Sequence, residues 1–137
     1  VAELGYLPDQ NVFRNIKRFP EAKVDPEVTI FRVDASLYFA NMTFFENKLC
    51  ERIRVKPETH WIILDFSGVN SIDAVAIQSL EEIMESCSRG DIQFLFAGIK
   101  GPVKDLLKKA GWDDKYGNQI NYLSLTHALK AIGKSLE

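Results

Sequence analysis

Short apolar runs and helix-period apolar patterns alternate along most of the chain. Residues 28–33, 61–64 and 92–97 are rich in β-branched and aromatic side chains, which favour strands. Residues 61–64 contain no polar position, as expected for a strand covered on both faces in a parallel sheet. Strands that alternate with helices need right-handed crossover connections. The pattern predicts an α/β domain with a central, mostly parallel sheet flanked by helices, completed by a weaker strand at residues 120–123 and a helix at residues 125–132.

Three further helices are predicted between these strands. Asn41 is a candidate N-cap for the first, whose apolar positions recur at three- and four-residue steps until Pro57 stops it. Asp73 can cap the second, whose apolar side chains follow the 3.6-residue period closely. Residues 98–102 open the third helix, which Gly111 ends. Each predicted helix therefore presents one apolar face to the sheet.

The first 26 residues differ in composition, since they carry three of the chain's five prolines with charged residues between them. A β-prone stretch at residues 12–16 predicts a short antiparallel strand at the edge of the sheet. The sequence therefore predicts a leading segment with an edge strand at residues 1–26 and one domain at residues 27–137.

Composition and charge agree with a single domain and exclude some partners. The chain has 137 residues, of which 46% are hydrophobic, enough for one core. The 17 Lys and Arg against 19 Asp and Glu give a formal net charge of -2, so no nucleic-acid partner is predicted. Apolar runs fall far short of the ~18 residues that a membrane-spanning helix needs. Because the chain does not begin with Met, we expect that it was cut from a longer protein.

Few residues are candidates for catalysis or metal binding. His60 and His127 are far apart in the sequence, and the chain lacks the Gly-x-Ser-x-Gly, Walker and His-Glu-x-x-His motifs. Cys50 and Cys87 are too few for a disulfide framework or a Cys-based metal site, and we expect them to be small buried side chains on helix faces. Trp112, just beyond a helix end, is expected to pack over the core edge. We therefore predict no catalytic residue, no metal and no cofactor.

The most informative segment is residues 64–74, where a buried strand ends in a turn that leads into a helix. Asp73 lies at the helix N-terminus, where free backbone N–H groups and the macrodipole favour negative charge. One interpretation is an anion or phosphate site, with Lys100 of the next helix-opening loop as counter-charge. The other is that Asp73 only caps the helix, while the turn side chains satisfy backbone groups. The candidate anion, nucleotide or partner site comprises Ser67, Gly68, Asn70, Ser71, Asp73, Lys100 and Gly101.

These residues also carry a family resemblance. The turn at residues 64–74, the helix after it, the Phe-rich strand and the helix and turn at residues 103–112 together resemble a STAS domain, the fold of anti-sigma-factor antagonists. Residues 30–41 and the leading stretch 12–16 resemble the variant found behind the membrane part of SulP-type anion transporters. The resemblance covers nearly the whole chain and implies a single STAS-like α/β domain.

The resemblance implies a function without chemistry of its own. SulP-type proteins transport sulfate, bicarbonate and related anions, and their STAS domain lies at the cytoplasmic face of the inner membrane. The implied role is to regulate or assemble the transporter by non-covalent contacts with the transmembrane domain of the same polypeptide, a second protomer, or a cytosolic protein such as acyl carrier protein. Residues 1–26 would then connect the domain to the membrane. Lys17, Arg18 and Lys23 in this segment either meet lipid headgroups or form a solvated charge cluster.

One position departs from the antagonist pattern. In single-domain antagonists, a Ser or Thr one or two places after the Asp of the turn is phosphorylated, but Ala74 and Val75 follow Asp73 here. Neither side chain has an oxygen, so no phosphoacceptor is predicted, which favours the transporter interpretation. A stand-alone antagonist-like signalling module and a weak nucleotide or anion sensor are the open alternatives. The short connection at residues 55–59 favours a compact, bacterial-type protein.

Overall fold

A mixed sheet forms the centre of the computed structural model, which describes residues 1–136. Its five strands within these residues are β1 (Ala2–Leu7), β2 (Val12–Asn15), β3 (Val28–Arg32), β4 (Trp61–Asp65) and β5 (Gln93–Ala97). The strand order is β2-β1-β3-β4-β5, in which β3, β4 and β5 run parallel and β1 is antiparallel to both neighbours. The predicted α/β fold with an antiparallel N-terminal edge strand is confirmed. Glu137, the last residue of the predicted domain, lies outside the described residues.

Helices cover both faces of this sheet. In the part of the chain that the structure describes they are α1 (Phe39–Val55), α2 (Ala74–Arg89), α3 (Gly101–Lys109), α4 (Trp112–Tyr116) and α5 (Leu125–Ala131). Apolar side chains of α1, α2, α3 and α4 form one core cluster with the sheet, while α5 covers the opposite face with a second cluster. No helix among residues 1–136 combines the length and the hydropathy that crossing a membrane requires.

The central strand β4 is buried on both faces, as its unbroken apolar run predicts. Ile62, Ile63 and Leu64 are all inaccessible to solvent. Because strand side chains alternate, Ile62 and Leu64 join the cluster beneath α1 to α4, while Ile63 joins the α5 cluster. Burial of each such side chain contributes about 1.5–3 kcal/mol. This packing fixes the position of the turn that follows β4.

Strand β1, which the sequence analysis did not predict, lies between β2 and β3. Leu4 and Tyr6 face α5, whereas Glu3 is buried and pairs with Arg52 and Lys56 at the end of α1. Burial lowers the pKa of Lys56 below its ordinary value, and the negative charge of Glu3 opposes that shift. The leading segment therefore supplies two strands to the sheet, of which β2 is the predicted edge strand.

Gly5 in β1 meets a second piece of the leading segment. A Cβ at this position would lie 2.8 Å from the Cβ of Ala22 and 2.9 Å from the carbonyl oxygen of Lys23. The chain passes this closely because Tyr6 and Lys23 exchange two backbone hydrogen bonds of 2.9 and 2.8 Å. Only glycine fits at this point of β1.

The predicted N-cap of α1 was wrong by three residues. Tyr38 is the N-cap, and Asn41 lies inside the first turn. The Asn41 side chain still serves the helix end, because its Oδ1 accepts a hydrogen bond of 2.9 Å from the backbone N–H of Tyr38. The amide thus reaches back to the cap from the third helical position, as in a capping box.

Three other predictions need correction. Cys50 is exposed and Cys87 is half-buried, so the prediction of two buried cysteines was wrong for Cys50. Trp112, the first residue of α4, was predicted at the core edge but is fully buried. Its Nε1 donates a hydrogen bond of 2.8 Å to Glu81. Residues 120–123 form no strand; this segment reaches β5 through one isolated bridge at Tyr122.

Candidate functional site

The turn between β4 and α2 is built around the carboxylate of Asp73. Its Oδ1 accepts a hydrogen bond of 2.7 Å from the backbone N–H of Ala76, which confirms Asp73 as the N-cap of α2. Its Oδ2 accepts a hydrogen bond of 3.0 Å from the backbone N–H of Phe39, the first residue of α1. One carboxylate therefore caps two helices, where both macrodipoles favour negative charge.

Backbone hydrogen bonds hold the same two helix ends together. The N–H of Leu37 donates to the carbonyl oxygen of Ser71 at 3.0 Å, and the N–H of Asp73 donates to the carbonyl oxygen of Leu37 at 3.1 Å. The N–H of Ser71 donates to Oγ of Ser36 at 3.1 Å. We call this junction, comprising Ser36, Leu37, Phe39, Ser71 and Asp73, the α1–α2 joint. The capping interpretation of Asp73 accounts for both of its oxygens.

Asn70 and Lys100 meet on the other side of the turn. Nζ of Lys100 donates a hydrogen bond of 2.6 Å to Oδ1 of Asn70. Lys100 is the N-cap of α3, and Gly101 is the first residue of that helix. A Cβ on Gly101 would meet no atom within 4 Å, so no close backbone approach requires glycine there. The contact links the turn to α3 and uses one of the three N–H donors of the ammonium group that was expected to balance an anion.

Gly68 is required by the path of the turn. A Cβ at this position would lie 2.9 Å from the carbonyl oxygen of Val33, immediately after β3. The turn therefore crosses the end of β3 at a distance that excludes any side chain. Six of the seven candidate residues are thereby placed: Ser71 and Asp73 belong to the α1–α2 joint, Asn70 and Lys100 form a pair, Gly68 packs on β3, and the position of Gly101 is open.

Ser67 lies apart from these groups, in a cleft at the carboxyl ends of the parallel strands that both polar and apolar side chains line. The cleft has a volume of about 380 Å³ and is also lined by Arg32 and Asp65. The N–H of Ser67 donates to Oδ1 of Asp65 at 3.0 Å, while Arg32 pairs with Asp34 at 2.6 Å. Arg32 was not among the site residues predicted from the sequence. Arg32 could have been proposed as a site residue because it lies at the end of the predicted strand β3, and the carboxyl ends of parallel strands meet at one edge of the sheet.

Exposed apolar side chains lie at the α1–α2 joint, and none of them was among the site residues predicted from the sequence. Tyr38 is 47% exposed, Phe39 is 70% exposed and Val75 is 48% exposed. We call these three residues the apolar rim. Large apolar side chains gathered at one surface are typical of contact sites for other proteins. The available signal was the adjacent aromatic pair Tyr38 and Phe39 at the start of the first helix.

The two histidines lie outside this arrangement. Nδ1 of His60 lies 3.3 Å from the carbonyl oxygen of Asp91, and Nδ1 of His127 accepts a hydrogen bond of 3.2 Å from the N–H of Leu123. Among residues 1–136, no three His, Cys, Asp or Glu side chains come together in a way that could hold a metal ion.

Comparison with known proteins identifies relatives of the whole chain. The sequence model of the STAS domain matches residues 19–127. Sulfate transporter 1.3 of Arabidopsis thaliana is 30% identical over 145 residues, which cover 98% of this chain and 22% of that protein. This chain thus spans about a fifth of the length of the curated relatives that it matches.

Two solved structures share the fold. The murine Solute Carrier 26 family member A9 anion transporter in its inward-facing state superposes with a TM-score of 0.83 at 23% identity, over 97% of this chain and 22% of that one. The STAS domain of a SulP transporter from Vibrio cholerae superposes with a TM-score of 0.66 at 23% identity, over 85% of this chain and 89% of that one.

Proposed function

The chain belongs to the STAS domain family, and from that premise we propose that it is the cytoplasmic STAS domain of a SulP-type membrane anion transporter. In this proposal it regulates or assembles the transporter through non-covalent contacts. One observation carries the proposal: the chain resembles sulfate transporters over 92–98% of its own length while it spans only 21–22% of theirs. The rest of such a protein would include the transmembrane domain.

The partner that we propose is the transmembrane domain of the same polypeptide. Strand β1 begins at the carboxyl edge of the parallel strands, because Ala2 pairs with Arg32 at the end of β3. The α1–α2 joint lies at this same edge, since Asp73 caps the helix that follows β4. A polypeptide that arrives at Val1 from the membrane therefore reaches the edge that carries the apolar rim. Contact there would remove the exposed ring of Phe39 from water.

The proposal assigns no reaction to the chain. Both carboxylate oxygens of Asp73 accept backbone hydrogen bonds, and the ammonium group of Lys100 is held by Asn70. The exposed side chains after Asp73 are those of Ala74 and Val75, so a kinase would find no hydroxyl there. Regulation by phosphorylation at these two positions is therefore not part of the proposal.

Other partners stay predictions. A second protomer and acyl carrier protein follow only from the family resemblance. At the β4–α2 turn the charge of Asp73 repels a nucleotide or other anion, and both of its carboxylate oxygens already accept helix N–H groups. The proposal therefore does not include a bound nucleotide.

The full-length protein tests the proposal. Its coding sequence should contain membrane-spanning segments upstream of residue 1, and a reading frame without them would refute the transporter assignment. In membrane vesicles that carry the full-length protein, Phe39→Ser with Val75→Ser should reduce sulfate or bicarbonate uptake at unchanged protein level. Val55→Ser, at a side chain 59% exposed at the far end of α1, is the matched control and should preserve uptake. Full uptake by the double variant would exclude the apolar rim as the contact.

A further inference from the structure

A positively charged surface lies where β1 begins. Lys17, just after β2, and Lys48 of α1 line one cleft together with Val1. Arg14 and Arg18 are exposed close to Lys17 along the chain. Within residues 1–136, the ion pairs involve none of these four cations. We call Arg14, Lys17, Arg18 and Lys48 the basic surface.

Nearby acidic side chains do not neutralise the basic surface. Glu3 lines the same cleft, but its buried carboxylate is paired with Arg52 and Lys56. Glu51 lines the cleft as an exposed side chain, and Glu21 is exposed in the segment after Arg18. Asp34 lines a neighbouring cleft with Val1, but its carboxylate pairs with Arg32. The four cations of the basic surface therefore outnumber Glu21 and Glu51 by two, in a chain whose formal net charge is -2.

An exposed aromatic ring adjoins the cations. Phe44 is 58% exposed, and Nζ of Lys48 lies 5.7 Å from the centre of its ring. Val1 lines a second cleft together with Phe44. Surfaces that lie in a lipid headgroup region combine these features, since cations contact phosphate while apolar side chains enter the boundary with the acyl chains.

We propose that the basic surface, together with Phe44, contacts the anionic lipid headgroups of the membrane. This inference rests on the proposed function, which brings the polypeptide to Val1 from a membrane domain. The potential of an anionic leaflet attracts Lys and Arg side chains but decays within a Debye length of roughly 8–10 Å. Only cations close to the membrane connection can contribute, and Lys17 and Lys48 flank Val1 itself.

Vesicle sedimentation with the 137-residue chain tests this contact. The chain should bind vesicles that contain phosphatidylglycerol, bind them less as salt is raised, and bind vesicles of phosphatidylcholine alone at least about 25-fold more weakly. Lys17→Glu with Arg18→Glu should weaken binding to the anionic vesicles by about 25-fold or more, since each lost cation costs roughly fivefold. Lys48→Gln should weaken it by about fivefold as an independent variant.

A matched control and four outcomes decide the result. Lys108→Glu with Lys109→Glu changes the net charge equally at exposed positions of α3 and should change binding by less than about threefold. Equal loss in the two double variants, equal binding to both kinds of vesicle, or absence of binding at low salt overturns the proposal. Release by free glycerol phosphate beyond a salt-matched control also overturns it, because the site would then bind a soluble phosphate. Circular dichroism verifies that the variants fold.

Failure of this inference is distinguishable from failure of the proposed function. The vesicle experiment needs only the isolated chain and reports on its basic surface. The transporter assignment is decided by the coding sequence upstream of residue 1. If the coding sequence contains spanning segments upstream but the chain does not bind anionic vesicles, the lipid contact is refuted and the transporter assignment stands.

Discussion

Asp73 accepts a hydrogen bond of 3.0 Å from the backbone N–H of Phe39, so a side chain in front of α2 also caps the first turn of α1. The two residues are 34 positions apart in the sequence. The contact makes the relative position of the two helix ends depend on one carboxylate. It also brings the first residue of α1, Phe39 with its exposed ring, to the N-terminus of α2.

Removal of this carboxylate should destabilise the domain. We expect Asp73→Ala to lower the free energy of unfolding by about 2–3 kcal/mol, because an N-cap contributes ~1 kcal/mol and the second helix loses its charged acceptor as well. Asp73→Asn keeps an acceptor oxygen but no charge, and it should lose about 1 kcal/mol. Urea unfolding followed by circular dichroism measures both values. Asp105→Ala, at an exposed position of α3, is the control and should change the free energy by less than ~0.5 kcal/mol. A loss for Asp73→Ala as small as that of the control would show that the joint does not depend on the carboxylate.

The Gly68 turn should tolerate no side chain. Gly68→Ala would place a Cβ 2.9 Å from the carbonyl oxygen of Val33, and we expect a loss of about 1–3 kcal/mol from the forced backbone shift. Gly101→Ala introduces the same methyl group at a helical position with no atom within 4 Å. That control should gain up to ~1 kcal/mol through reduced freedom of the unfolded chain. Thermal unfolding of the two variants should therefore move in opposite directions, and a shared direction would contradict the close approach to β3.

The helices and strands that can be predicted from the sequence are those whose pattern of apolar and capping residues lies within the element itself. Residues 61–64 are apolar without interruption because β4 is covered on both faces, and Asp73 caps the helix that it immediately precedes. Strand β1 carries no such signal, since Glu3 and Gly5 interrupt its apolar residues. Glu3 is compatible with burial only through Arg52 and Lys56, which lie about fifty positions later in the chain.

The candidate site divides in the same way. The capping role of Asp73 follows from its own helix, whereas its contact with Phe39 depends on how α1 packs against the sheet. The pairing of Lys100 with Asn70 is equally non-local, because it joins the loops that follow two neighbouring parallel strands. Residue type and spacing therefore identified the turn but could not show how its groups are shared among three helices.

The ion pairs of Glu3 should be needed for β1 to stay in the sheet. We expect Glu3→Gln to lower the free energy of unfolding by about 2 kcal/mol, because a buried carboxylate that loses its charge leaves Arg52 and Lys56 without their counter-charge. Glu51→Gln removes an exposed charge from the same cleft and should cost less than ~0.5 kcal/mol. Hydrogen exchange at the backbone amides of β1 locates the effect. Unchanged protection of β1 in Glu3→Gln would contradict this role.

The two cysteines should differ in reactivity. Burial raises the pKa of the Cys87 thiol above its ordinary value of 9.0, and charge on Cys50 and Glu46 adds to the shift. The thiolate is the reactive form, so a raised pKa means less thiolate at pH 8, and half-burial also limits access. Alkylation by iodoacetamide, followed by mass spectrometry of peptides, should modify exposed Cys50 at least about tenfold faster than Cys87 at pH 8. The rate of Cys87 alkylation should still be rising above pH 9.0, the ordinary pKa of this group, because its own midpoint lies higher.

Unfolding in urea is the control for this prediction, because burial is lost there and the two alkylation rates should become similar. Equal rates in the folded chain would show that the Cys87 thiol is as open to reagents as Cys50.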